Sequence, residues 1–247
     1  MAGSAGKKPK SAEMYPGPGF RIQGVISRPD PGLIEQFRKF ASPDISDLMN
    51  RLYTMSSAIH NLINDNPICG PACTVKVFPG DNLMVHKALD IAQPGDIIVV
   101  DAGSTPMNGV IGDLVANKAM HRGIQAFVID GLVRDLPGIK EVGLPVYARG
   151  VSPIGPLHRG PGEINYPVCC GGIVVNPGDI IIGDTNGLTV VRLDFAKEIL
   201  ERAYRQRESL RQYVADVKRG LFSNQWVDDI LQEASCIVSS EVSDSGR

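Results

Sequence analysis

Gly109-Val-Ile-Gly-Asp-Leu-Val-Ala-Asn-Lys-Ala-Met-His-Arg-Gly-Ile-Gln-Ala-Phe-Val-Ile-Asp-Gly-Leu-Val-Arg-Asp135 is the stretch from which the rest of the chain can be read. Its pattern is one loop, one helix, one strand and one turn. Gly109 and Gly112 make a flexible turn, and Asp113 stands at an N-cap position ahead of Leu114, Val115 and Ala116, where its carboxylate can satisfy a free backbone N–H. Gly123 ends the helix, after His121 and Arg122 have placed positive charge at the negative end of its dipole. Residues 126–129 form a short buried strand, and Asp130-Gly131 turns the chain to deliver Arg134 and Asp135 side by side. A helix N-terminus offers unpaired N–H groups that suit a carboxylate or phosphate. Asp135 offers an oxygen ligand of the kind Mg²⁺ and Mn²⁺ take. Taken singly, Asp113 reads as a cap and Arg134-Asp135 as a surface pair. Taken together they can hold an anionic, metal-bound substrate.

The flanks repeat the alternation of strand and helix. Residues 72–78 read as a strand, 82–91 as a helix and 96–101 as a short apolar strand between acids; Val146 lies at the edge of another strand. Continuous apolar strands separated by helices describe an α/β domain whose sheet is covered on both faces. Residues 148–167 are dense in Gly and Pro and read as an ordered loop or irregular strand, with Tyr166, His158 and Arg159 as their bulky polar features. Three more short strands follow at 173–176, 180–182 and 188–191, joined by Pro177-Gly178-Asp179 and by Asp184-Thr185-Asn186-Gly187, whose Asn-Gly is a hairpin signal. An amphipathic helix runs from Asp194 to about Lys218, and a last helix over 224–234 carries Trp226, Ile230 and Leu231. Before the core, residues 22–26 read as a strand, and helices start at Pro31 and at Ser42-Pro43-Asp44, the latter carrying Ile45, Leu48, Met49 and Leu52. Residues 1–19 are expected to be disordered or loosely packed, 20–238 to form a single domain, and 239–247 to be a flexible tail.

Composition narrows the function classes. The net charge is −2, from 25 basic and 27 acidic residues, which implies no general attraction to nucleic acid or anionic membrane. No apolar run has the eighteen or so residues of a membrane helix, and no apolar segment follows Lys7, Lys8 and Lys10 as a secretory signal would require; a cytoplasmic protein is expected. The five cysteines are odd in number and apolar in surroundings, so reduced thiols are expected. Cys69 and Cys73 lack a second Cys or His pair at zinc-binding distance. A Walker loop and a Gly-x-Gly-x-x-Gly dinucleotide fingerprint are both missing from the sequence.

Asp113, twenty intervening residues and then Arg134-Asp135 form a signature. Around it stand Gly70-Pro71-Ala72-Cys73-Thr74-Val75, Asp81-Asn82 with His86-Lys87-Ala88, Gly95 to Asp101, and Gly171-Gly172 through Gly187. On these residues the chain, over roughly 43–192, resembles the 4-hydroxy-4-methyl-2-oxoglutarate / 4-carboxy-4-hydroxy-2-oxoadipate aldolases. These are class II pyruvate aldolases in the superfamily of the RraA-like regulators of ribonuclease E activity. The aldolases carry Asp at the first motif position; the regulators tend to carry Gly there and an acid three places after the final Asp. This chain has Asp113 and, at the later place, Gly138, which points to the enzyme branch. The resemblance implies a compact β/β/α swivelling-domain core, here with N-terminal helices and a C-terminal helical extension. It also implies a homotrimer or hexamer with the site between subunits.

The chemistry the resemblance implies is cleavage of a 4-hydroxy-2-oxo di- or tricarboxylic acid to pyruvate and a second oxo acid through a metal-stabilised enolate, with oxaloacetate decarboxylation as a side activity. Asp135 would be the protein ligand of Mg²⁺ or Mn²⁺, Asp113 would orient a metal-bound water, and Arg134 would meet the developing charge. The backbone of Gly112, Leu114, Val115 and Ala116 would hold the substrate carboxylate. A neighbouring subunit's C-terminal helix would add an acid, Glu208 or, in reserve, Glu201; either can equally be an ordinary surface charge. A Schiff-base route through Lys118 or Lys87 is disfavoured, because neither stands in a cluster that would depress its pKa. His86 reads as a satisfied core histidine, while His158 and Arg159 either bind the substrate's distal carboxylate or are simply exposed. The competing reading is a non-catalytic protein that restrains a ribonuclease or helicase.

Overall fold

The protein is described here by a computed structural model covering residues 13–237. The tail expected at 239–247 and most of the segment expected at 1–19 lie outside those residues. In chain order the elements are β1 (Phe20–Ile22), α1 (Pro31–Phe37), α2 (Ser42–Leu48), β2 (His60–Asn61), β3 (Ile68–Val77), α3 (Leu83–Ala88) and β4 (Ile97–Asp101). They continue with α4 (Asp113–His121), β5 (Ala126–Val133), α5 (Leu136–Val142), β6 (Val146–Val151), β7 (Gly162–Ile164), β8 (Val168–Cys170) and β9 (Ile173–Val175). The last are β10 (Ile180–Asp184), β11 (Gly187–Val191), α6 (Ala196–Lys218) and α7 (Gln225–Glu233). Two compact units divide the chain, one through Ala203 and one from Tyr204, with the division inside α6.

In the first unit β3, β4, β5 and β6 are parallel neighbours, as the crossover connections through α3, α4 and α5 require. The long β3 splits its outer edge between two partners: Ile68 to Pro71 pair with β10, and Val75 to Val77 pair with β7. Alternation along the strands feeds two cores. Ile98, Val100, Phe127, Ile129 and Val146 pack on Val85, Ala88, Val115, Ala119 and Ile139 of α3, α4 and α5. Ile97, Val99, Ala126, Val128 and Tyr147 pack on a second β layer that includes Val168, Val175, Ile181 and Val190. The other face of the β10–β11 hairpin is covered by Ile34, Phe37, Ile45, Ile199 and Leu200 from α1, α2 and the first turns of α6. This is the expected β/β/α body with its N-terminal helical cover.

Four expectations change. The strand placed at 22–26 lies at Phe20–Ile22, and Leu52 is exposed because α2 ends at Leu48. Asp130-Gly131 does not turn the chain; both belong to β5, with an irregularity in its pairing to β6 between Ile129 and Leu132. Asp130 survives in a strand interior because Arg149 Nε, Ser104 Oγ and the Gly171 N–H all donate to its carboxylate at 2.5–2.7 Å. Burial pushes that carboxyl up, and these donors together outweigh it, holding the group below the usual carboxylate range. Finally, α5 was not anticipated, and the Gly/Pro-rich stretch supplies the end of β6 and all of β7.

In the second unit α7 presents Trp226, Ile230 and Leu231 on one side and Asp228, Asp229 and Glu233 among its polar residues, and none of its residues is buried. Trp226 is 58% exposed and is the chain's single tryptophan. Among the described residues no helix is long and apolar enough to cross a membrane.

Candidate active site

The carboxyl end of β5 builds the site. Beyond Val133 the chain places Arg134 and then Asp135, which caps α5 in the left-handed conformation at φ 55°. The segment from Gly109 lies against the same strand end: the Val110 N–H donates to Leu132 O at 2.7 Å and the Arg134 N–H to Ile111 O at 2.9 Å. This pairing sets the start of α4 beside Arg134 and Asp135. It works only without side chains at two points. A Cβ on Gly109 would stand 2.9 Å from the Arg134 Cβ, and one on Gly112 would drive into Asp135 Oδ2. Gly138 of α5 similarly gives room to Asp113, whose Cβ would lie 2.7 Å from an added methyl. The glycines expected to be a flexible turn therefore serve close approach.

Asp113 proves to be the first helical residue, with Gly112 as the cap, and its Oδ1 accepts from the Leu114 N–H at 2.7 Å. The Val115 and Ala116 N–H groups donate to Gly112 O at 3.2 and 3.1 Å. Ala116 is fully buried against the core. Of the four residues whose backbone was expected to hold a carboxylate, Leu114, Val115 and Ala116 thus have intramolecular partners for their N–H groups. Among the described residues the N–H groups at this helix start without a partner are those of Gly112 and Asp113.

Gly112, Asp113, Leu114, Val115, Arg134 and Asp135 all line one cleft of about 230 Å³. Arg134 Nε lies 3.1 Å from Asp135 Oδ2, with both side chains a little over 40% exposed. Asp135 Oδ1 accepts no hydrogen bond among the described residues. No cluster of three His, Cys, Asp or Glu side chains suited to a metal occurs among them. A zinc-type cage is therefore not formed, but two carboxylates in a water-accessible cleft fit a cation that keeps most of its shell as water and substrate, as Mg²⁺ does.

Asn82, His86, Lys118, Pro156 and His158 complete the lining. His86 is half-buried in the cleft and is not the core histidine expected; burial, reinforced by Lys118 and His158, lowers its pKa. Of the loop pair His158 and Arg159, His158 lines the cleft, whereas the Arg159 N–H donates to Asp81 Oδ2 at 2.6 Å. Asp81-Asn82 and His86 stood in the sequence as motif residues, but nothing in the chain order showed that α3 would face α4 across one cleft. In the second unit, Glu208 is exposed and lies 3.7 Å from Arg211. Glu201 is exposed on the part of α6 that belongs to the first unit, where it lines a different cleft with Arg28, Asp30 and Lys197.

Comparison with known proteins places the sequence and the fold in a family. A family model for RraA-like proteins, described as Aldolase/RraA, matches residues 42–190. A protein of Halalkalibacterium halodurans provisionally named a 4-hydroxy-4-methyl-2-oxoglutarate aldolase is 37% identical over 182 residues, 74% of this chain and 87% of that one. An Azotobacter vinelandii protein with the same provisional name is 31% identical, over 62% of this chain and 94% of its own. The crystal structure of Streptomyces coelicolor RraAS2, described as an unusual member of the RNase ES inhibitor RraA family, superposes with a TM-score of 0.70 at 26% identity. It covers 76% of this chain and 98% of that one.

Proposed function

Since the chain belongs to the RraA-like (Aldolase/RraA) family, we propose that it is a divalent-metal-dependent carbon–carbon lyase that cleaves 4-hydroxy-2-oxo acids to pyruvate and a second oxo acid. The observation that carries this reading is the meeting of Asp113, Arg134 and Asp135 in one cleft, beside the unpartnered N–H groups of Gly112 and Asp113. Asp135 would hold Mg²⁺ or Mn²⁺, with Asp113 next to it; a cation there supplies Lewis acidity to a chelating 2-oxo acid. Arg134 binds the 2-oxo end of the substrate. Asp113 holds a water in the cleft and, through it, takes the proton of the C4 hydroxyl. The C4 oxygen becomes the carbonyl of the leaving oxo acid as the C3–C4 bond breaks. The electron pair passes to the three-carbon fragment, where Arg134 meets the negative charge that accumulates on the 2-oxo oxygen. A proton delivered to C3 then completes pyruvate.

Oxaloacetate would lose CO₂ by the same electron flow, which gives a convenient assay. With Mg²⁺ or Mn²⁺, pyruvate release should exceed the enzyme-free background, fall to it with EDTA, and drop at least about 100-fold in Asp135→Asn. Absence of metal-dependent release would overturn the reading. A homotrimer or hexamer, with Glu208 or Glu201 reaching a neighbour's cleft, belongs to the same proposal; analytical ultracentrifugation tests it. The likeness to RraAS2 supports a second reading, a restraint on a ribonuclease. That reading expects stable capture of the ribonuclease by the wild-type chain and by Asp113→Ala alike.

A further inference from the structure

Arg134 is flanked by glycine from stem to head. Its Cβ faces Gly109 and its Cγ faces Gly112, where an added Cβ would stand 2.9 and 3.3 Å away. At the far end of the side chain the neighbour is Gly155. A Cβ built there would stand 2.5 Å from Arg134 Nη1 and 3.5 Å from Cζ, and outside its chain neighbours it would meet nothing else within 4 Å. The backbone of Gly155 lies outside the left-handed region, so an L-residue is conformationally admissible there. What requires glycine at this point is the guanidinium alone. Gly155 is itself tied down: Asn108 donates its amide Nδ2 to Gly155 O at 2.8 Å, and the Gly109 N–H donates to Ile154 O at 2.8 Å. Ser152 Oγ adds a third tie by donating to Met107 O. Asn108 is in turn seated on Gly80, whose added Cβ would stand 2.9 Å from Asn108 Oδ1. Residues 107–109 therefore hold residues 152–155 against the head of Arg134.

We propose that Gly155, held by Asn108, is a positioning residue for Arg134: its bare backbone face stops the guanidinium in the orientation that meets the 2-oxo oxygen. The proposal rests on the reading of Arg134 given above. A stop of this kind matters because the side chain is a little over 40% exposed and is otherwise anchored through Nε to Asp135 Oδ2 at 3.1 Å. The fork of arginine is planar and directional, so turning it takes donors away from an oxygen without taking charge out of the cleft. Donors stabilise a developing charge best when they are aimed before it appears. Asn108 acts at one further remove, through the carbonyl of Gly155.

A double-mutant cycle of Gly155→Ala and Arg134→Lys, read as kcat/KM for Mg²⁺-dependent release of pyruvate from oxaloacetate, tests this. With Arg134 present, Gly155→Ala should lower kcat/KM about 10- to 100-fold, the effect of moving a contact to the reacting centre by about 1 Å, and leave the urea midpoint unchanged. In the Arg134→Lys background, which keeps the charge but has no fork to stop, the same substitution should change kcat/KM by less than about twofold. Gly24→Ala, where an added Cβ meets nothing within 4 Å, should leave activity and midpoint alone. Equal losses in the two backgrounds, or full activity of Gly155→Ala, would overturn the positioning role alone. A wild-type chain without Mg²⁺-dependent activity would overturn the reading of Arg134 and the positioning role with it. Should Gly155→Ala shift the urea midpoint, Asn108→Ala, which adds no atom, decides instead. A loss of about threefold to tenfold that vanishes in the Arg134→Lys background supports the role, and an equal loss in both, or none, overturns it.

Discussion

Asp135 combines an acidic side chain with a left-handed backbone, a conformation that costs most L-residues about 1–2 kcal/mol but that Asp and Asn visit more readily. This separates its structural from its chemical contribution. Asp135→Asn should retain stability to within about 0.5 kcal/mol while losing activity, whereas Asp135→Ala should lose about 1 kcal/mol as well; urea denaturation of both variants measures the difference. The signature of Asp113 and Arg134-Asp135 was readable through the resemblance to a known family, since the residues taken singly read as a cap and a surface pair. The glycine roles were not readable. Gly112 was an ordinary turn residue until β5 brought Asp135 against it. Lys118 and His86 likewise gain meaning only from the facing of α3 and α4.

At the scale of elements, β5 has a polar knot in its middle. Asp130 stays ionised there because Arg149, Ser104 and Gly171 bind its oxygens, and it lies in register with Asp101, itself paired to Lys76 at 2.6 Å. The wild-type chain should be about 2–3 kcal/mol more stable than Asp130→Asn at neutral pH, since the substitution leaves Arg149 without its partner charge. A carboxyl held below its unfolded value of about 3.9 contributes fully above that pH and loses its contribution as pH falls through the folded value. The gap between the two proteins should therefore narrow below about pH 4, as thermal melts across pH 3–7 can show. The sequence suggested a turn at Asp130-Gly131 because that dipeptide usually ends a strand. Tertiary hydrogen bonds from β6 and from the loops at Ser104 and Gly171 reversed the local preference, and no neighbour in the sequence could have signalled them.

For the whole molecule, the α/β class was legible because the continuous apolar runs of β4 and β5 stand between helical stretches, whereas the order of the layers, β/β/α, was an expectation carried by the resemblance to a known family. What stayed hidden was how β3 divides its edge between β7 and β10, a matter of strand length and crossover that leaves no compositional trace. The division of the chain after Ala203 was equally unmarked, for α6 continues through it without a break in helical pattern. Since α7 contributes no buried residue, ending the chain after Gly220 should leave the melting temperature within about 2 °C by far-ultraviolet circular dichroism at low protein concentration. The placement of Trp226 on that helix has a practical sequel. The chain's indole emission comes from a half-exposed side chain on a helix with no buried residue, so its emission maximum has little distance to move on unfolding, and an unshifted maximum during heating would be no sign of an intact fold.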